Sequence, residues 1–215
     1  GAADAITARE CSRVNGVDYL WASSFIMSTM LGLKDDGIVH LERYLPLIEG
    51  MVHASRRPII MDFDVGGRNA TEFVHNAKLL KKAGIGGVSI EDERWPKVNA
   101  MLGNTRRRLL SSFAMGEKIA AARKVMGPQK LVIARTHSFI VGESLPDLQK
   151  RIDAYQKADA DMICIHYAGN EWAKYQKVLD GLKIKKPLLL ILSKRDRMPS
   201  QLLKERRIRY VLYPN

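Results

Sequence analysis

Only two cysteines occur in 215 residues, Cys11 and Cys164. They lie far apart and in no CxxC or Cys–His spacing. That argues against a disulfide scaffold or a thiolate metal cluster and fits a reducing cytoplasm. No apolar run approaches the roughly 20 residues a membrane helix needs, so no membrane partner is expected. The opening Gly1-Ala2-Ala3-Asp4 has neither a basic n-region nor an apolar h-region, so no signal peptide is visible. No Gly-x-Gly-x-x-Gly follows the first apolar run, which weakens a dinucleotide-binding reading. No repeat, low-complexity tract or linker divides the chain, and one domain over 1–215 is expected.

Acidic charge is also in short supply. Lys and Arg number 35 against 23 Asp and Glu, a net charge of +12. The excess is local: residues 181–215 hold ten basic side chains against two acids, a net +8, which leaves +4 for the rest. No aromatic-interleaved motif accompanies this segment, so it reads as a solvated basic face rather than a nucleic-acid site.

Short apolar runs are present at Val17–Ala22, Pro58–Asp64, Gly87–Glu91, Leu131–Arg135, Asp161–His166, Pro187–Leu192 and Ile208–Tyr213. Several are continuous rather than alternating, which predicts strands buried on both faces of a parallel sheet. Helical patterns lie between them at Ala5–Val14, Ile38–Ala54, Thr71–Lys82, Phe113–Val125, Leu145–Lys157, Glu171–Leu182 and Ser200–Arg206. The alternation predicts an α/β fold, a (β/α)8 TIM-type barrel. About 250 residues are usual for that fold. The chain starts on a strand end and stops after a strand, so the given residues are expected to lack the first strand and the last helix.

In such a barrel, reacting groups sit at the C-terminal ends of strands. Those positions hold Trp21-Ala22-Ser23-Ser24, Asp62-Phe63-Asp64, Glu91-Asp92, Arg135-Thr136-His137 and His166. Acids that converge on one mouth repel unless a cation neutralises them. Asp62, Asp64, Glu91 and Asp92 are hard oxygen donors that suit Mg²⁺ or Mn²⁺ better than zinc. Arg135 offers a bidentate fork for a phosphoryl or carboxylate group, and His166 a hydrogen bond to an oxyanion. The polar stretch at about 93–110 reads as a lid, with Lys97 and Asn99 able to close onto a charged substrate.

This pattern resembles the isocitrate lyase and phosphoenolpyruvate mutase superfamily over essentially the whole chain, and most of all its mutase branch. Trp21-Ala22-Ser23 is similar to the Trp-Ala-Ser turn whose amides bind the substrate carboxylate. Leu31-Gly32-Leu33-Lys34-Asp35 resembles Leu-Gly-Val-Arg-Asp, and Asp62-Phe63-Asp64-Val65-Gly66-Gly67-Arg68-Asn69 keeps both acids, one glycine and the asparagine of its counterpart. The carbon–carbon lyases of the superfamily carry a Cys-Gly-His lid with a catalytic cysteine; here Pro96-Lys97-Val98-Asn99-Ala100 has none. Glu93, Ala100, Phe63 and His137 depart from the mutase pattern, which has Lys, Ser, Gly and Glu there.

The resemblance implies Mg²⁺-dependent interconversion of phosphoenolpyruvate and phosphonopyruvate, the carbon–phosphorus step of phosphonate biosynthesis. It implies Asp35, Lys97 and Asn99 as catalytic groups. Substrate binding would fall to Trp21, Ser23, Ser24, Arg135 and His166. The metal, Mg²⁺ or alternatively Mn²⁺, would be held directly by Asp62 and through water by Asp64 and Glu91. A homodimer or homotetramer that swaps its last helix is implied as well. Two other readings stay open: a phosphonopyruvate hydrolase, and an inactive barrel that binds an anionic partner.

Overall fold

The computed structural model describes residues 1–98, 107–167, 172–191 and 208–213. Seven strands form one sheet in sequence order: β1 (Leu20–Ala22), β2 (Ile59–Asp64), β3 (Gly87–Glu91), β4 (Leu131–Thr136), β5 (Met162–Ile165), β6 (Leu188–Ile191) and β7 (Ile208–Leu212). Every neighbouring pair is parallel. Six strands fall inside an apolar run and β4 outruns its own by one residue, Thr136; a strand covered on both faces has no solvent side on which to alternate.

The connections carry α1 (Ala5–Cys11), α2 (Ser24–Met30), α3 (Leu45–Ala54), α4 (Ala70–Lys82), α5 (Ser112–Met126), α6 (Ser138–Val141), α7 (Leu145–Lys157) and α8 (Trp172–Asp180). The helix expected over Ile38–Ala54 is shorter than its pattern. A 3-10 turn at Leu41–Arg43 precedes α3, and Pro46 sits in the first turn of α3. A proline ring is tolerated there and not deeper, so the helix has to begin beside it. The helix expected at Ser200–Arg206 lies outside the described residues.

The sheet is curled. Ala2 bridges to Ala22 beside β1, and the Gly1 ammonium donates to the Tyr213 carbonyl after β7 at 3.5 Å. Tyr19 and Tyr210 meet edge to face across the same seam, 5.6 Å between ring centres. Two apolar layers follow from this curl. The outer layer packs strands against helices, with Ile48, Met51, Phe73, Leu80, Ile119 and Ile152 fully buried. The inner layer holds Trp21, Ile60, Ile133, Met162, Cys164 and Leu189. Below it, at the N-terminal ends of the strands, lies an apolar cavity of about 450 Å³. Among the described residues no helix is long and apolar enough to cross a membrane.

Candidate active site

The C-terminal end of β2 sets the first half of the site. Asp62 and Asp64 are two residues apart, so their side chains share the inner face of the sheet, while Phe63 points to the helices. Phe63 packs on Phe73 with 5.2 Å between ring centres and is buried. Its departure from glycine therefore adds a ring to the helix layer. After Asp62 the pairing with β3 shifts register, and Asp64 takes φ +51°. Gly66 follows at φ +73°, where an added Cβ would lie 2.4 Å from the Phe73 ring. Asn76 and Lys118 hold this turn by donating to the carbonyls of Gly66 (3.0 Å) and Val65 (2.9 Å). Asn69 caps α4 by accepting from the Glu72 amide at 3.0 Å.

The segment after β3 closes over these acids. Glu93 bridges antiparallel to Leu109, and the Arg94 amide donates to the Arg108 carbonyl at 2.8 Å, forming a two-stranded neck. Beyond the neck, Trp95 Nε1 donates to the Gly37 carbonyl (3.0 Å) and the Lys97 amide to the Asp36 carbonyl (3.0 Å). This docking drives the Lys97 ammonium into the mouth. It lies 2.6 Å from Asp35 Oδ1 and 2.6 Å from Asp64 Oδ1. It also donates to Ser24 Oγ at 3.4 Å, and Ser24 in turn donates to Asp64 Oδ1 at 3.0 Å and to Asp62 Oδ2 at 3.4 Å.

The second half comes from β3, β4 and β5. Glu91 pairs in register with Arg135. Arg135 Nη1 lies 3.3 Å from Asp62 Oδ1 and 3.8 Å from Glu91 Oε2. Its Nη2 meets His166 Nδ1 at 2.7 Å. A guanidinium only donates, so His166 Nδ1 is the acceptor. His137 stands between the strands: Nδ1 contacts Glu93 Oε1 at 2.7 Å and Nε2 contacts His166 Nδ1 at 2.9 Å. Glu93 also binds the Arg107 guanidinium and accepts from the Val98 amide at 2.8 Å.

Burial governs the charge states. It disfavours ionisation of Asp62 and Asp64 and moves both carboxyls up, Asp64 well up, although Arg135 and Lys97 at Asp62, and Lys97 at Asp64, pull the other way. Burial likewise disfavours the Lys97 ammonium, yet Asp64, Glu91, Asp35 and Asp62 outweigh it and hold the side chain protonated. His166 is pushed well below the ordinary imidazole range by burial and the Arg135 charge. Glu93 is buried too, but its hydrogen bond with His137, the Val98 amide and Arg107 bring it down to about 2.

Asp35, Asp62, Asp64, Glu91 and Glu93 thus bring five carboxyl groups around Lys97, Arg107 and Arg135. Buried Glu91 Oε1 has no hydrogen-bond partner among the described residues. An oxygen-rich pocket with an open buried oxygen fits a divalent cation. On the other side, Arg135 Nε is a buried donor with no hydrogen-bond partner among the described residues, which leaves it available to an anion.

Ser24, Asp35, Asp62, Asp64, Glu91, Lys97, Arg135 and His166 all meet at this mouth. The Trp21 ring packs in the inner apolar layer. Ser23 caps α2, and its amide donates to the Ala2 carbonyl at 3.2 Å. Asn99 lies outside the described residues. Asp92, expected among the ligands, turns away from the mouth to accept from Thr136, Tyr155, Arg151 and the His137 amide. His137 stands among the strand-end residues and Glu93 among the departures from the mutase pattern, but their contact joins the segments after β3 and β4, and no spacing along the chain reveals it.

A family model described as Phosphoenolpyruvate phosphomutase matches residues 2–215. A phosphoenolpyruvate phosphomutase of Tetrahymena pyriformis is 26% identical over 93% of this chain and 67% of its own. The chain spans about half the length of other curated relatives it matches. The crystal structure of a phosphoenolpyruvate phosphomutase from Streptomyces platensis subsp. rosaceus superposes with TM-score 0.90 at 29% identity, covering 99% of this chain and 74% of that one. A phosphonopyruvate hydrolase solved with oxalate and Mg²⁺ has TM-score 0.87 at 24% identity, covering 100% of this chain and 74% of that one, a likeness of fold.

Proposed function

The chain belongs to the phosphoenolpyruvate phosphomutase family, and on that premise we propose that it interconverts phosphoenolpyruvate and phosphonopyruvate. The observation that carries this reading is Lys97, delivered by the segment after β3 to within 2.6 Å of both Asp35 and Asp64. No cysteine stands in that segment to serve lyase chemistry.

In the direction of phosphonopyruvate, the bond from phosphorus to the enol oxygen breaks and a bond from phosphorus to C3 forms. The transferring group is loose and metaphosphate-like, so the protein mainly positions and neutralises. Mg²⁺ or Mn²⁺, when bound, supplies a Lewis acid for the enolate, with Asp62, Asp64 and Glu91 as the residues to hold it. Arg135 donates to phosphoryl oxygens, His166 is fixed beside it through Nδ1, and Asn99 belongs to the same role. Asp35 faces the phosphorus and guides it from oxygen to carbon. Lys97 neutralises the acids and, with its segment docked, keeps out water that would otherwise capture the phosphoryl group.

Phosphorus NMR of the full-length chain with phosphonopyruvate and Mg²⁺ tests this. Growth of a phosphoenolpyruvate signal is expected. Release of inorganic phosphate and pyruvate instead would make the protein a hydrolase, and no turnover with either substrate would sink the enzymatic reading.

A further inference from the structure

Two departures from the mutase pattern, Glu93 and His137, lie in contact and share the mouth with Glu91. Among the described residues, Glu91, Glu93 and His137 are the group of possible metal ligands whose donor atoms all come within 4.8 Å of one another. Asp62 and Asp64 are not part of that group. We propose that Glu91, Glu93 and His137 form a divalent-metal site with a nitrogen donor, one that takes Mn²⁺ or a later transition ion in preference to Mg²⁺.

Two observations carry this. First, all three side chains are buried, at 3%, 1% and 1% exposure, and Glu91 Oε1 has no hydrogen-bond partner among the described residues. Buried carboxylate oxygen is normally paired, so an open one is a place for a cation. Second, the spacing suits an ion. His137 Nε2 and Glu91 Oε2 are 3.7 Å apart. Two ligands each about 2.1 Å from one ion span up to about 4.2 Å. Glu93 either completes the set or holds the Nδ1–H, the arrangement that orients metal-binding imidazoles in general.

An imidazole in the ligand set decides the preference. Mg²⁺ demands six hard oxygens in near-ideal octahedral geometry. Affinity for a nitrogen-containing site rises from Mn²⁺ through the later first-row ions. The site shares Glu91 with the metal-holding trio of the proposed function, and therefore rests on that reading in part. Its test needs no turnover, so the two fail separately.

The experiment is Mn²⁺ titration of the metal-stripped full-length chain, followed by electron paramagnetic resonance, with Mg²⁺ as competitor. Nitrogen modulation from an imidazole is expected in the pulsed spectrum, and displacement should need at least about tenfold more Mg²⁺ than Mn²⁺. H137Q should abolish the modulation and weaken Mn²⁺ about tenfold or more; E93Q should weaken it about as much through loss of ligand or orientation. E93Q keeps the test open if H137Q does not fold. Bound Mn²⁺ without nitrogen modulation, modulation that survives H137Q but vanishes in H166Q, or no Mn²⁺ binding at all would each overturn the proposal.

Discussion

Glu91 and Asp92 are neighbours at the end of β3, both buried, and their surroundings could hardly differ more. Asp92 accepts from Thr136 Oγ1 at 2.6 Å, Tyr155 OH at 2.7 Å, the His137 amide at 3.0 Å and Arg151 Nη1 at 3.5 Å. Arg151 continues the network to Glu143, which binds Ser138 as well. Glu91 has one oxygen without a hydrogen bond and another only loosely placed, 3.7 Å from His137 and 3.8 Å from Arg135. A saturated buried acid anchors structure; an unsaturated one is kept at a cost, and a ligand explains the cost. The lesson is that residue type and strand position do not separate the two roles, whereas hydrogen-bond accounting does.

The sharpest way to break the contrast is Asp92→Ala. It strands Arg151, Tyr155 and Thr136 in the interior, and breaking one partner of a buried charged network costs about 3–5 kcal/mol. Urea denaturation should show that loss through a lower midpoint at unchanged slope. A change under about 1 kcal/mol would mean that Asp92 is not an anchor.

Lys97→Met acts at the mouth instead. It leaves Asp35 and Asp64 facing each other without their shared cation, and removal of one preorganised charge at a reacting centre costs about 10²–10³-fold in turnover. Phosphorus NMR should record that fall, together with a larger share of inorganic phosphate as water gains entry. An unchanged rate would detach the docked segment from the chemistry.

The strands were legible because a parallel sheet forces continuous apolar runs, and the runs from Val17–Ala22 to Ile208–Tyr213 contain their strands, save that β4 reaches one residue further, to Thr136. Two short helices were not. Ser24–Met30 reads SFIMSTM and Ser138–Val141 reads SFIV, and neither is long enough for a 3.6-residue period to show. The mouth was legible for Asp62, Asp64, Glu91, Arg135 and His166 because strand ends are positions along the chain. Asp92 was misread, since Tyr155 and Arg151 reach it from α7, about 60 residues on. The Glu93–His137 contact was hidden for the same reason.

A third region sharpens the contrast from the other side of β2. Gly66→Ala puts a methyl 2.4 Å from the Phe73 ring at a backbone φ of +73°. Overpacking of this kind costs about 1–3 kcal/mol. The loss should appear as a lower melting temperature. If Gly66→Ala melts like the parent, the turn that presents Asp64 has slack that the packing does not suggest.

Glu91→Gln carries the smallest expected change in stability and the clearest meaning. The amide keeps the shape of the side chain and removes one of the buried like charges at the mouth, so the metal-free protein should shift by less than about 1 kcal/mol, in either direction. The response to metal should change far more. An ion present at about 100 times its dissociation constant stabilises the folded parent by about 2.7 kcal/mol. Glu91→Gln should lose most of that increment in Mn²⁺, as read from paired urea melts with and without the ion. Should Glu91→Gln unfold the metal-free chain as readily as Asp92→Ala does, both acids would be anchors, and an open oxygen would no longer mark where an ion belongs.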